Sequence, residues 1–136
     1  MMATSYLVCA DASAGDLRQF QTPSGNIHCL ASDTDNGHGR MIDCEVLVLN
    51  SDRPLHRKPK SCDLDWGHRF ILGEAGMPDL ACAGDTLRDN KTPVLKFGDT
   101  VDVGGDITCE INRAGLRCQN AEAHGFSLSR AKQVFF

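Results

Sequence analysis

The chain has 136 residues, a net charge of −4 and a pI near 5.6, which suits one acidic domain and disfavours a nucleic-acid partner. Aromatic residues make up 6% of it and apolar residues 41%, with 13 Gly and 5 Pro, a balance that favours short strands and turns over long helices. No stretch is long and apolar enough to form a transmembrane segment, and no motif calls for a cofactor.

Residues 1–14 read as the shortened tail of a signal peptide. Tyr6-Leu-Val-Cys-Ala10 is a short apolar stub, and Ala12-Ser13-Ala14 has the small-x-small form of a cleavage site. The expected mature domain is residues 15–136, beginning near Gly15. Seven cysteines follow the chain: Cys9, Cys29, Cys44, Cys62, Cys82, Cys109 and Cys118. None lies in a Cys-x-x-Cys pair, so zinc-ribbon and thioredoxin patterns are missing. Isolated cysteines in a strand-rich chain point to disulfides, and disulfides point to a periplasmic or secreted location. Cys9 is the odd one and falls in the leader.

One short pattern occurs twice. Gly25-Asn-Ile-His-Cys29 corresponds to Gly105-Asp-Ile-Thr-Cys109, and each is followed by a turn and an apolar-x-Cys step, Ile42-Asp-Cys44 and Leu116-Arg-Cys118. Residues two apart share one face of a strand, so each unit reads as a β-hairpin carrying two cysteines. Asn36-Gly37 is a strong two-residue hairpin signal, and with that turn position i faces position 73 − i, which sets Cys29 opposite Cys44. Asn112-Arg-Ala-Gly115 suits a four-residue loop with Gly115 left-handed, which sets Cys109 opposite Cys118. Cys62–Cys82 follows by elimination. The polar stretch from Asp33 to Arg40 could instead be a loose loop.

Between the hairpins, Val46-Leu-Val-Leu49 reads as a buried strand, residues 50–61 as a polar loop, and Arg69-Phe-Ile-Leu72 and Val94-Leu-Lys-Phe97 as further strands. The tail Ala131–Phe136 could be a last strand or one helical turn. The expected fold is all-β or β-rich: a single small barrel or sandwich built on two disulfide-stapled hairpins.

The order of Phe20-Gln-Thr-Pro-Ser-Gly-Asn-Ile-His-Cys29, Cys62-Asp-Leu-Asp-Trp-Gly67, Cys82-Ala-Gly-Asp-Thr86, Leu116-Arg-Cys-Gln-Asn120 and Gly125-Phe-Ser-Leu-Ser-Arg130 resembles a family of small secreted bacterial proteins known only as a domain of unknown function. The resemblance covers about residues 18–136. It implies export and six structural cysteines, and it implies no activity.

Polar clusters give a short set of candidate surface sites: Asp65, Trp66, His68, Asp85 and His124. Asp63-Leu-Asp65-Trp66-Gly67-His68 could bind a metal or act in acid–base chemistry, yet spacing fixes no third ligand. A turn in which the carboxylates cap amides and the Trp packs on the core is the simpler expectation. Asp85 after Gly84 and His124 before Gly125 read in the same way. Asp33–Gly39 begins like a calcium loop, but Cys44 stands where the bidentate Glu belongs. Ser127 and Ser129 alternate with Phe126 and Leu128 as on a half-buried strand, and there is no Gly-x-Ser-x-Gly elbow. The functional expectation is an exported binding or structural module that presents loops 31–41, 50–61 and 121–126 to another extracytoplasmic protein. An envelope accessory subunit or an inhibitor of a secreted enzyme would fit. The alternative is a small hydrolase or metal-dependent enzyme using Asp65, His68, Asp85 or His124.

Overall fold

The computed structural model describes residues 17–34, 39–51 and 53–136. The leader with Cys9, the cleavage step and the Asn36-Gly37 turn lie outside the described residues. Five strands form the first sheet: β1 (Gln19–Gln21), β2 (Ile27–Asp33), β3 (Arg40–Val46), β4 (Arg69–Gly73) and β5 (Asp79–Leu80). Five more form the second: β6 (Thr100–Gly104), β7 (Ile107–Ile111), β8 (Gly115–Gln119), β9 (Gly125–Ser129) and β10 (Gln133–Phe135). Within each sheet, strands adjacent in sequence pair antiparallel. The two sheets stack as a sandwich; the barrel alternative is excluded because each sheet stays open, ending at β1 and β5 or at β6 and β10.

The hairpin registers are those the turns demand. Cys29 pairs with Cys44 across β2 and β3, and Cys109 with Cys118 across β7 and β8, each pair closed by a disulfide. A third disulfide joins Cys62 to Cys82. Pairing runs out to Asp33 and Arg40, so the arm that could have been a loose loop is paired strand to that point. Gly25 and Gly105, the repeated glycines, both have left-handed φ, at 75° and 62°.

The core is organised as two cross-strand rows. In the first sheet, register aligns Phe20, Cys29, Cys44, Phe70 and Leu80 on the inner face. In the second it aligns Phe135, Phe126, Cys118, Cys109 and Val101. Each row therefore sets a cystine beside a phenylalanine. The rows meet where Phe70 packs edge-on against Phe126 and Phe135, with centroids 6.3 and 6.2 Å away. Ile27, Ile42, Ile107, Ile111, Leu116 and Leu128 fill the rest of the core.

Three local expectations are corrected. Val46–Leu49 is not a continuing strand: β3 stops at Val46 and Val48 is 45% exposed. Beyond Val46, the Asn26 side chain takes both backbone groups of Val48, accepting its N–H (2.9 Å) and donating to its carbonyl (3.1 Å). Val94–Phe97 is not a strand either. Val94 makes one isolated bridge to Gln21, and the chain then turns where Asp99 accepts the Lys96 amide. Gly115 is not left-handed; the Asn112 side chain accepts the amides of Ala114 and Gly115 and holds the loop. Glycine is needed at 115 because a Cβ there would collide with the Leu128 carbonyl of β9. Gly115→Ala is expected to cost about 1–3 kcal/mol through forced separation of β8 from β9. A urea melt measures it, and faster amide exchange confined to β8 and β9 locates it.

Candidate functional site

Four polar residues on the outer face of the first sheet stand in one register row: Gln21, His28, Glu45 and Arg69, one from each of β1 to β4. They alternate with the inner row Phe20, Cys29, Cys44 and Phe70, so they face away from the core. Together they fasten the segment running from Asp85 to Leu95 across the sheet. Arg69 donates to the Asp85 carboxylate (3.1 Å) and carbonyl (3.2 Å). Glu45 accepts the Thr86 hydroxyl (2.8 Å) and the Leu87 amide (2.6 Å). His28 Nδ1 accepts the Asp89 amide (3.3 Å), and its Nε2 lies 3.0 Å from the Gly25 carbonyl, so the ring is protonated at Nε2. Gln21 donates to the Thr92 carbonyl, while its backbone bonds Pro93 and Leu95. The segment is a strap, pinned strand by strand.

Arg69 anchors the strap to the sheet. Its guanidinium meets Asp43 in a two-pronged pair, with Nε–Oδ1 at 2.9 Å and Nη2–Oδ2 at 2.6 Å. Hydrogen bonding to Asp43, opposed by burial and aided by the charges of Asp43 and Asp85, holds the guanidinium protonated still more firmly than usual. The hydrogen bond that Arg69 donates to Asp85 holds the Asp85 carboxyl below the ordinary carboxylate range, helped by its own backbone amide.

A cleft of about 240 Å³ opens at the β4 end of the strap. Asp65, Trp66, His68 and Asp85 all line it, together with Glu45 and Arg69, so the structure brings four of the five candidate residues together. His124 is not among them. It sits in the β8–β9 connection, with Nδ1 3.3 Å from the Phe136 carbonyl. The cleft walls are held by the Cys62–Cys82 disulfide and by an Asp65–Ala83 bridge, in which the Ala83 amide donates to the Asp65 carbonyl. Trp66 packs on the core edge and donates Nε1–H to the His56 carbonyl at 2.7 Å. His68 Nδ1 lies 2.7 Å from the Val46 carbonyl, which accepts only, so Nδ1 carries a proton and donates to it. Asp85 thus does more than cap a turn, since it closes the ion pair that holds the strap.

Glu45 and Arg69 are cleft residues that pattern reading did not single out. Both sit inside strands, at positions that alternation marks as outward, and nothing in their neighbours distinguishes a clasp from a solvated charge. Among the described residues, no three His, Cys, Asp or Glu side chains converge to hold a metal ion. No Ser or Cys lines the cleft. Ser127 and Ser129 stand on β9, in the other sheet.

Because the Asp85 carboxyl is depressed when folded, its pairing stabilises the fold above the ordinary carboxylate value of 3.8, and that contribution is lost as pH falls through the depressed value. Asp85 is largely exposed, so the pair is screened near neutrality. Asp85→Asn is expected to lower the melting temperature slightly at pH 7, where the paired carboxylate still contributes. Below about pH 4 the difference from wild type should shrink as the wild-type pairing is itself lost, read from melts across a pH series.

Fold and site together define a disulfide-stapled β sandwich with a strapped outer face and a polar cleft beside it. The chain belongs to the Family of unknown function (DUF6636), whose family model matches residues 1–136. No curated protein matches the chain, and no solved structure does.

Proposed function

We propose that this chain is an extracytoplasmic binding module, and that the cleft beside the strap holds a ligand rather than transforming it. The observation that carries this reading is how the polar groups of the cleft are used. Arg69, Asp85 and Glu45 are engaged in fastening the strap, and the Trp66 N–H and His68 Nδ1 are engaged with backbone carbonyls. The lining residues left to meet a ligand are Asp65, Trp66 and His68. A general acid–base site needs a group poised near the working pH. The Asp85 carboxyl, held low by its hydrogen bond to Arg69, moves away from that range. Three disulfides support an oxidising compartment. An envelope accessory subunit or an inhibitor of a secreted enzyme remains the form this module would take.

The second reading, a small hydrolase, draws on the convergence of Asp65, His68 and Asp85. Chromosomal Asp65→Ala and His68→Ala variants, followed by fractionation, thiol labelling and melting, decide between them. The binding reading expects an extracytoplasmic protein without titratable thiols at its six paired cysteines, variants with unchanged melts, and no turnover of ester or amide substrates by wild type. Cytosolic protein with free thiols would overturn the location. Turnover that disappears with His68→Ala would overturn the binding role.

A further inference from the structure

We propose that a second site, the groove between the β1–β2 and β7–β8 turns, binds an acidic, extended segment of another protein. The groove has a volume of about 530 Å³, within the range of ligand sites. It meets the cleft beside the strap only at Leu47, which borders both. The inference does not depend on what that cleft does.

The groove is built by parts of the fold distant in sequence. The Thr22–Asn26 turn forms one wall and the Asn112–Gly115 turn the other. Three arginines come to it from three separate segments: Arg88 from the strap, Arg113 from the β7–β8 turn and Arg130 from the end of β9. All three are exposed. Among the described residues, the salt bridges involve Arg40 and Arg69 and leave these three without a carboxylate. Among the described residues, no Asp or Glu lines the groove. A chain of net charge −4 has thus gathered three cations in one concavity, with no counter-charge among the described residues that line it. Such a placement costs self-repulsion and is offset when an anion enters.

Apolar surface lies between the cations. Phe97 and Val48 border the groove while half exposed, at 50% and 45%. The Arg113 guanidinium stands 5.3 Å from the centre of the Phe97 ring, so the ring is held by a cation and still offers its remaining surface. The matching ligand carries more than one carboxylate and an apolar side chain between them. A single small anion would answer only one of three guanidiniums placed on different segments.

A lipid surface fits less well. The apolar groups border a concavity and one ring is already covered by a guanidinium, whereas insertion into a bilayer needs them to protrude. An anionic bilayer would also face the whole negatively charged molecule. A peptide in the groove senses mainly the charges within a screening length of about 8 Å at physiological salt.

The test uses the oxidised full-length chain and a fluorescent hexapeptide with three glutamates flanking one leucine, followed by anisotropy. Saturable binding below about 1 mM is expected. Replacing the glutamates by glutamines, raising the salt, or making Arg113→Glu/Arg130→Glu should each weaken binding by roughly tenfold or more, with the variant melting as wild type does. Arg113→Gln/Arg130→Gln serves if the reversed charges disturb the fold. Equal binding of the glutamine peptide, no saturable binding, or binding indifferent to both arginine variants would overturn the proposal. Flotation with vesicles of phosphatidylcholine and phosphatidylserine, without peptide binding, would overturn it in favour of a membrane site.

Discussion

Phe70→Ala should lower the stability of the domain by about 3–5 kcal/mol, a large part of the 5–15 kcal/mol typical for a chain of this size. Phe70 has 0% exposure and stands where the two inner rows meet. It pairs with Cys44 along its own sheet and packs edge-on against Phe126 and Phe135 of the other. Truncation therefore removes contacts within one sheet and between sheets at once. The cavity cannot collapse easily, because its nearest neighbour in register is half of a cystine that fixes β3 to β2. Phe70→Leu, which keeps most of the volume, should cost roughly 1–2 kcal/mol. Chemical denaturation with disulfides intact measures both. A loss below about 1 kcal/mol for the alanine variant would mean that the sheets do not depend on this contact.

Arg69→Met should cost about 2–4 kcal/mol, through the partner it abandons. Side-chain exposure is 11% for Arg69 and 16% for Asp43, so a lone Asp43 carboxylate would be left largely out of water. Replacing both, as Arg69→Met/Asp43→Leu, should recover most of the loss, since a well-packed apolar pair removes the unmatched charge. The strap supplies an independent reading. Without Arg69 it loses its hold on β4, and trypsin should cut faster at Arg88 and Lys91, both exposed on the strap. The double variant should regain stability while its strap stays sensitive to protease. A double variant as unstable as Arg69→Met would show that the pair contributes more than charge neutralisation.

The registers were legible because turn chemistry and strand alternation are local. An Asn-Gly centred at 36 and 37 and an Asn–Gly loop at 112–115 are enough to set four cysteines face to face, and the rest of each inner row follows by alternation. The strap was not legible. Its contacts are made by side chains of four strands, each to a different stretch of backbone, so it has no period of its own. For the same reason Val94–Phe97, apolar and bounded by turns, reads as a strand although its neighbours leave it a single bridge. His28 shows the limit from the other side. Alternation sends it outward, and it is buried all the same because the strap covers it. The cleft was half legible: Asp65, Trp66, His68 and Arg69 are close in sequence, whereas Glu45 joins them only through pairing of β3 with β4.

The order of the disulfides along the chain bears on how the protein is made. Among the six paired cysteines, each bonds to the next one in sequence: 29 with 44, 62 with 82, 109 with 118. A chain threaded N-terminus first into an oxidising compartment would present these six thiols two at a time, already in native couples. A thiol oxidase acting on the emerging chain could then complete the set in passing, and the shuffling activity of an isomerase would have nothing to correct.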